Sequence, residues 1–291
     1  MLLGPVMIVA LIGAIWGEEW LRRNGYPVGL LVGPIMAAIG AESARELAKV
    51  FRARRIEAST AVLTLAVWTG LAVSGLAMTG ESGRGERSGA VVSTAAMGVM
   101  LLSMVYYARR RSAQGVVAAV ATTLFAFVYV GLMGGFVLAL LREFGGWTLL
   151  AMVAVTKSGD IGAYFTGTTI GRHKLIRWLS PGKTWEGLAG GVALAAGVGA
   201  MAAGMSGQGE SGPLVEVWVG AMLGGMLGLV GQGGDLVASM LKRDAGMKDY
   251  SRALPGFGGA LDIVDSVLLM APVGYWLMRW LTAMGWMGGI G

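Results

Sequence analysis

Cysteine is missing from this 291-residue chain, and histidine occurs once, at His173. Disulfides, thiolate nucleophiles and cysteine-ligated metals are therefore excluded. One imidazole also rules out a multi-histidine metal centre, and His173, set among basic residues, reads as a surface residue or a phosphate neighbour. No Ser-His-Asp or Cys-His set is on offer, so no covalent intermediate is expected. Charge is scarce as well: 14% of residues are charged and 55% hydrophobic, whereas soluble domains carry about 25% charged residues. The chain lacks the alternation of barrel strands and any internal repeat of the kind a transporter would show. No basic stretch precedes the first apolar run, so no cleavable signal is expected. What remains is an all-α, polytopic integral membrane protein. Its fifty glycines fit that class, because small residues let membrane helices approach closely. Gly220, Gly224 and Gly228 fall at the required spacing, and such Gly-rich faces make a homodimer the expected assembly.

Apolar runs lie near residues 2–16, 28–44, 59–78, 89–107, 116–141, 147–160, 187–205, 214–234 and 262–284. With ~20 residues needed per crossing, they predict about nine transmembrane helices. Nine crossings put most of the 23 lysines and arginines on one side, including Arg45 to Arg55, Arg109 to Arg111, Lys157 to Lys183, and Lys242 to Arg252. By the positive-inside rule that side is cytoplasmic. The expected location is the cell inner (cytoplasmic) membrane, with the N-terminus inside and the C-terminus outside. The net charge of +6 then reflects topology and does not call for nucleic acid as a partner. Residues 1–145 form a motif-poor set of helices, in which Glu42 and Glu46 either line a polar cavity or pair with Arg45 and Lys49. Residues 146–291 form the catalytic region, with cytoplasmic loops 158–186 and 242–261.

Two stretches carry chemistry. Residues 234–266 read GDLVASMLKRDAGMKDYSRALPGFGGALDIVDS. An apolar run ends in Asp235, a loop follows with Lys242, Arg243, Lys248, Asp249 and Arg252, and Asp262 and Asp265 open the next run. Charge at a bilayer edge is costly unless paired, hydrated or metal-bound, and a divalent cation relieves repulsion between carboxylates. Taken alone, Asp262 and Asp265 suit acids answering a helix dipole. Together with Asp235 and the four cations they read as a Mg²⁺ site beside a phosphate cradle. Asp249 is either a further ligand or an anchor for Lys248.

The second stretch, residues 158–191, reads SGDIGAYFTGTTIGRHKLIRWLSPGKTWEGLAGG. Asp160 follows an apolar run; Arg172, Lys174 and Arg177 form a basic cluster. Ser180-Pro181-Gly182-Lys183-Thr184-Trp185-Glu186-Gly187 reads as the start of a helix, whose free N–H groups, with Lys183 and the Ser180 and Thr184 hydroxyls, favour phosphate. It is not a P-loop, since Arg177 stands where that pattern needs glycine. Tyr164 and Trp185 also suit interfacial belt positions.

Both stretches resemble the phosphatidate cytidylyltransferases (CDP-diacylglycerol synthases). The match runs through Ser239, Lys242-Arg243, Lys248-Asp249, Leu254-Pro255, Gly258-Gly259, Asp262 and Asp265. It continues in Asp160, Gly162-Ala163-Tyr164-Phe165, Gly171-Arg172-His173-Lys174-Leu175 and Ser180 to Gly187. The resemblance implies CTP and phosphatidate, or a related lipid phosphate, as substrates in contact with membrane lipids. It also implies Mg²⁺ with a monovalent cation such as K⁺ nearby. Asp235, Lys248, Asp249, Asp262 and Asp265 become catalytic candidates. Asp160, Arg172, Lys174, Ser180, Lys183, Thr184, Ser239, Lys242 and Arg243 become substrate-binding candidates. Three positions depart: Phe257 replaces the usual histidine, Ile263 the usual arginine, and Ala260 a larger apolar residue. Arg252 is the candidate to supply the guanidinium lost at Ile263.

Overall fold

The computed structural model describes residues 3–77, 85–109, 112–206, 215–247, 250–251 and 258–286. Among these the chain is almost wholly helical: α1 (Leu3–Arg23), α2 (Val32–Ala53), α3 (Thr60–Ala77), α4 (Gly85–Ala108), α5 (Val116–Ala126), α6 (Met133–Phe144), α7 (Gly146–Thr169), α8 (Trp185–Ser206), α9 (Val217–Asp244) and α10 (Ala260–Ala283). A π-helical turn, Phe127–Leu132, joins α5 to α6. Each expected apolar run coincides with a helix. Among the described residues, five helices are long and apolar enough to cross a membrane: Gly89–Ala108, Val116–Phe144, Trp185–Ser206, Val217–Asp244 and Ala260–Ala283. That is fewer than the nine expected crossings. Charge accounts for part of the difference, since α2 carries Glu42, Arg45, Glu46, Lys49 and Arg52, and α7 carries Lys157 and Asp160. The outward side chains of α4, among them Leu101, Leu102 and Val105, are exposed, as a lipid-facing helix requires.

Two compact units divide the chain. The first comprises residues 1–146 and 241–264. Within it, α2 begins at a residue with no capping side chain, Leu31. The buried Glu18 of α1 takes that role: its carboxylate accepts the N–H groups of Gly29 (2.5 Å), Leu30 (3.2 Å), Leu31 (2.8 Å) and Val32 (3.0 Å). Those donors would otherwise be orphans at the helix start. Glu42 pairs with Arg45 at 2.8 Å, one of the two readings of that acid; Glu46 does something else, described below. Arg54, just past α2, holds Asp244 at the end of α9 through two bonds of 2.6 and 3.2 Å. Helix α3 packs on the π turn with almost no spacing: a β-carbon on Gly70 would lie 2.7 Å from the Gly131 Cα.

The second unit comprises residues 147–240 and 265–291. Here α8 and α9 touch along their glycines. A β-carbon on Gly224 would stand 3.0 Å from the Ala195 carbonyl carbon, and one on Gly220 would meet the Gly199 oxygen at 2.6 Å. The small-residue spacing thus sets the interhelical distance.

Both expected loops are shorter than the sequence suggested. Helix α7 continues to Thr169, where the Thr168 and Thr169 hydroxyls donate to carbonyls one turn back. An antiparallel hairpin follows, β1 (Lys174–Ile176) and β2 (Ser180–Thr184), with Lys174 opposite Thr184 and Ile176 opposite Ser180. Ser180 to Thr184 is therefore strand, not the first turn of a helix. The helix waits for Thr184, whose buried hydroxyl accepts the Gly187 N–H at 3.0 Å. Thr184 is thus the N-cap of α8. Thr184→Val is expected to lower stability by about 1 kcal/mol, and Thr184→Ser to restore it, as read from the melting of the helical circular dichroism signal. In the other loop, α9 runs on to Asp244, so Lys242 and Arg243 occupy its last turn, where cations favour the helix dipole.

Candidate functional site

In the second unit, a chain of polar contacts joins four elements. Lys183, on β2, forms an ion pair with Asp235 of α9 at 2.7 Å. Its ammonium also donates to the Gln232 carbonyl at 3.2 Å. The Gln232 side-chain amide donates to Asp160 of α7 at 2.9 Å. Lys157, one turn before Asp160, lies 3.5 Å from its carboxylate and donates to the Ser266 hydroxyl of α10 at 2.7 Å. Asp265 is buried, and its carboxylate accepts the Ser266 N–H at 2.6 Å. The glycine before Asp235 makes this assembly possible. A β-carbon on Gly234 would sit 2.5 Å from the Asp265 carbonyl oxygen, so α9 and α10 cross in backbone contact, with Asp235 and Asp265 both at the crossing.

The hairpin is tied to α8 by Glu186, which accepts the N–H groups of Arg172 and His173 at 3.2 Å and pairs with the His173 ring at 2.6 Å. Arg172 and Lys174 are exposed, and among the described residues neither has an ion-pair partner. Ser180 and Ser239 are half-buried.

In the first unit, Asp262 is the organising acid. One oxygen takes the Lys242 ammonium at 2.7 Å; the other accepts the Gly259 N–H at 2.8 Å and the Tyr250 N–H at 3.4 Å. The bond from the third helical residue back to Gly259 is half of a capping box, so the helix-dipole role holds for Asp262. The Lys242 ammonium also sits 5.3 Å from the Tyr250 ring centre, a favourable cation–π distance. Gly258 has φ +86°, and a β-carbon there would meet the Asp262 carboxylate at 2.5 Å; both conditions demand glycine.

Glu46 completes the arrangement. It is fully buried in α2, and its carboxylate accepts the Ser251 hydroxyl at 2.7 Å, the Ala260 N–H at 3.0 Å and the Leu261 N–H at 2.9 Å. It therefore holds the first turn of α10, on which Asp262 and, one turn later, Asp265 are mounted.

Sequence reasoning assigned no site role to Glu46, Lys157, Gln232 or Ser266. Lys157 and Asp160 carried a signal in their three-residue spacing, and Glu46 in being an acid within an apolar helix. Gln232 carried none. Lys248, Asp249, Arg252 and Phe257 lie outside the described residues.

Among the described residues, no three acids or imidazoles stand close enough to form a metal site. Asp235 and Asp262 each face a lysine ammonium instead. The donors are hard carboxylate and hydroxyl oxygens, the set Mg²⁺ prefers, but a metal has to displace lysines to reach Asp235 and Asp262.

Comparison with known proteins places these residues in context. A model of the cytidylyltransferase family matches residues 5–281. A phosphatidate cytidylyltransferase of Mycobacterium bovis is 38% identical over 161 residues, 55% of this chain and 50% of its own length. One of Brucella suis is 40% identical over 141 residues, 47% of this chain and 50% of its own length. An Escherichia coli protein described as uncharacterized protein YnbB is 41% identical over 139 residues, 47% of this chain and 44% of its own length. The chain thus spans about half the length of the curated relatives it matches.

Proposed function

We propose, from the premise that this chain belongs to the cytidylyltransferase family, that it transfers CMP from CTP to phosphatidate, yielding CDP-diacylglycerol and pyrophosphate. A phosphate oxygen of the lipid attacks the α-phosphorus of CTP; the bond to the β-phosphate oxygen breaks, and pyrophosphate carries that electron pair away. Such displacements are catalysed by positioning and charge neutralisation. The single observation that supports this reading best is the run of alternating charges Lys157, Asp160, Lys183 and Asp235, linked through Gln232, with Asp265 at the same helix crossing. Without ligand, each ammonium is compensated by a carboxylate. With a polyanion bound, the lysines would turn to its phosphates, and the carboxylates so freed would be the residues to hold a dication. Neither charge would be left bare, so the half-buried pairs could be broken without an uncompensated charge.

Asp235 and Asp265 are the oxygen donors assigned to Mg²⁺, with Asp262 one helical turn before Asp265 and Asp249 as a further candidate. Bound Mg²⁺ supplies charge neutralisation on phosphate oxygens, and a monovalent cation such as K⁺ accompanies it. Lys183, Lys242, Arg243 and Lys248 hold phosphates, with Arg172 and Lys174 at the exposed hairpin guiding the nucleotide in. Asp160, Ser180 and Ser239 orient these groups. The protein sits in the inner membrane with about nine crossings, its N-terminus and both polar segments cytoplasmic where CTP is found, and it pairs as a homodimer through glycine-rich faces.

Purified protein in lipid nanodiscs with labelled CTP, Mg²⁺ and phosphatidate tests this. Lipid-dependent pyrophosphate release is expected. Ile263, aliphatic where the resembled family has a cation, favours one alternative, a different lipid phosphate as acceptor; release only with such a lipid would establish it. Silence with every lipid phosphate overturns the enzymatic reading.

A further inference from the structure

We infer that Lys157 is a substrate-phosphate ligand, placed beside Asp265 of α10 by its bond to Ser266. This rests on the reading of the site as one that binds phosphate-bearing substrates.

Three observations support it. First, the Lys157 ammonium is loosely compensated. It has the Ser266 hydroxyl at 2.7 Å but its carboxylate, Asp160, only at 3.5 Å, whereas Lys183 and Lys242 each hold a carboxylate at 2.7 Å. Second, an ammonium has three N–H donors, and Lys157 has two partners among the described residues. Its side chain is 37% accessible, which leaves Lys157 within reach of a ligand. Third, Lys157 stands inside a predominantly apolar helix, where a cation is costly unless function requires it.

The position is also chemically apt. Ser266 follows Asp265 directly, so Lys157 lies beside the acid assigned to the cation and at the opposite end of the polar chain from Lys183. Two ammonium groups with carboxylates between them can grip two phosphate oxygens of one polyanion, or one oxygen from each of two. The phosphate belongs either to the nucleoside triphosphate or to the lipid acid.

The test measures binding apart from turnover. Wild type, Lys157→Met and Lys157→Arg in nanodiscs are titrated with CTP, and separately with phosphatidate supplied in the disc; KM for each substrate is then compared. Lys157→Met is expected to weaken one of the two by about 10- to 100-fold, with kcat changed far less, and Lys157→Arg to recover most of the loss. Weakened CTP binding assigns the contact to the nucleotide, and weakened phosphatidate binding to the lipid. Should the methionine variant fail to fold by circular dichroism, Lys157→Gln, which still donates to Ser266, carries the same comparison. Unchanged binding of both substrates overturns the inference while leaving wild-type turnover, and the proposed reaction, intact. A kcat loss with both affinities unchanged also overturns it, marking Lys157 as a support for Asp160. Lys157-dependent binding in a protein that turns over no lipid phosphate upholds it and removes the proposed reaction instead.

Discussion

Asp265→Asn and Asp235→Asn, made singly, are each expected to reduce cytidylyl transfer by about 10³-fold or more. The magnitude follows from the several kcal/mol that metal-assisted charge stabilisation contributes, at about 1.4 kcal/mol per tenfold. Both changes preserve shape and remove one negative charge. Asp265 is the cleaner case, because it is buried at the α9–α10 crossing and asparagine can still accept the Ser266 N–H. Asparagine at 235 frees Lys183 from its 2.7 Å partner, so that variant should also bind CTP in the absence of Mg²⁺ more tightly than wild type. The readouts are initial rates at saturating CTP with Mg²⁺ titrated, and CTP binding with and without the metal. Wild-type rates in both variants would remove these acids from the mechanism.

Glu46→Ala should be the most damaging single change to the fold. The carboxylate is fully buried and satisfies three donors. Removing it takes that acceptor from two backbone N–H groups at the start of α10 and from the Ser251 hydroxyl. Loss of one side of a buried charged network costs about 3–5 kcal/mol, or a melting temperature lower by roughly 10 °C. Glu46→Gln keeps one acceptor oxygen but turns an amide donor toward another donor, so an intermediate loss is expected. With no cysteine to label and ten tryptophans available, intrinsic fluorescence during heating is the natural measurement. A melting curve identical to wild type in the alanine variant would show that Ser251, Ala260 and Leu261 find other partners.

These two residues mark what could and could not be read in advance. Asp265 was legible because a carboxylate at the edge of an apolar run is conspicuous, and its three-residue spacing from Asp262 is a helical repeat. Glu46 was visible only as one of two acids four residues apart on α2, with a cavity and an ion pair as its two readings. Glu42 took the ion pair. Glu46 took neither, since its partners lie more than 200 residues away in sequence. The start of α8 shows a similar limit. Proline followed by lysine and glutamate suggested a helix from Ser180 onward, yet pairing with Lys174–Ile176 drew that stretch into a strand and left Thr184 to cap the helix. Local propensity lost there to a hairpin partner that local sequence does not reveal.

Composition alone determined that this chain is a bundle of apolar helices with few, costly charges, because burying 55% hydrophobic residues with self-satisfied backbones leaves little other choice. Spacing alone marked which acids and cations belong to the two polar stretches. Only the tertiary structure decided what each charge meets: Lys183 pairs with Asp235 and Lys242 with Asp262, while Glu46 accepts the backbone N–H groups at the α10 start. A charge has no fixed partner along the chain. It takes whichever counter-group the packing of glycine-lined helices brings within about 3 Å, and that distance is set by the fold.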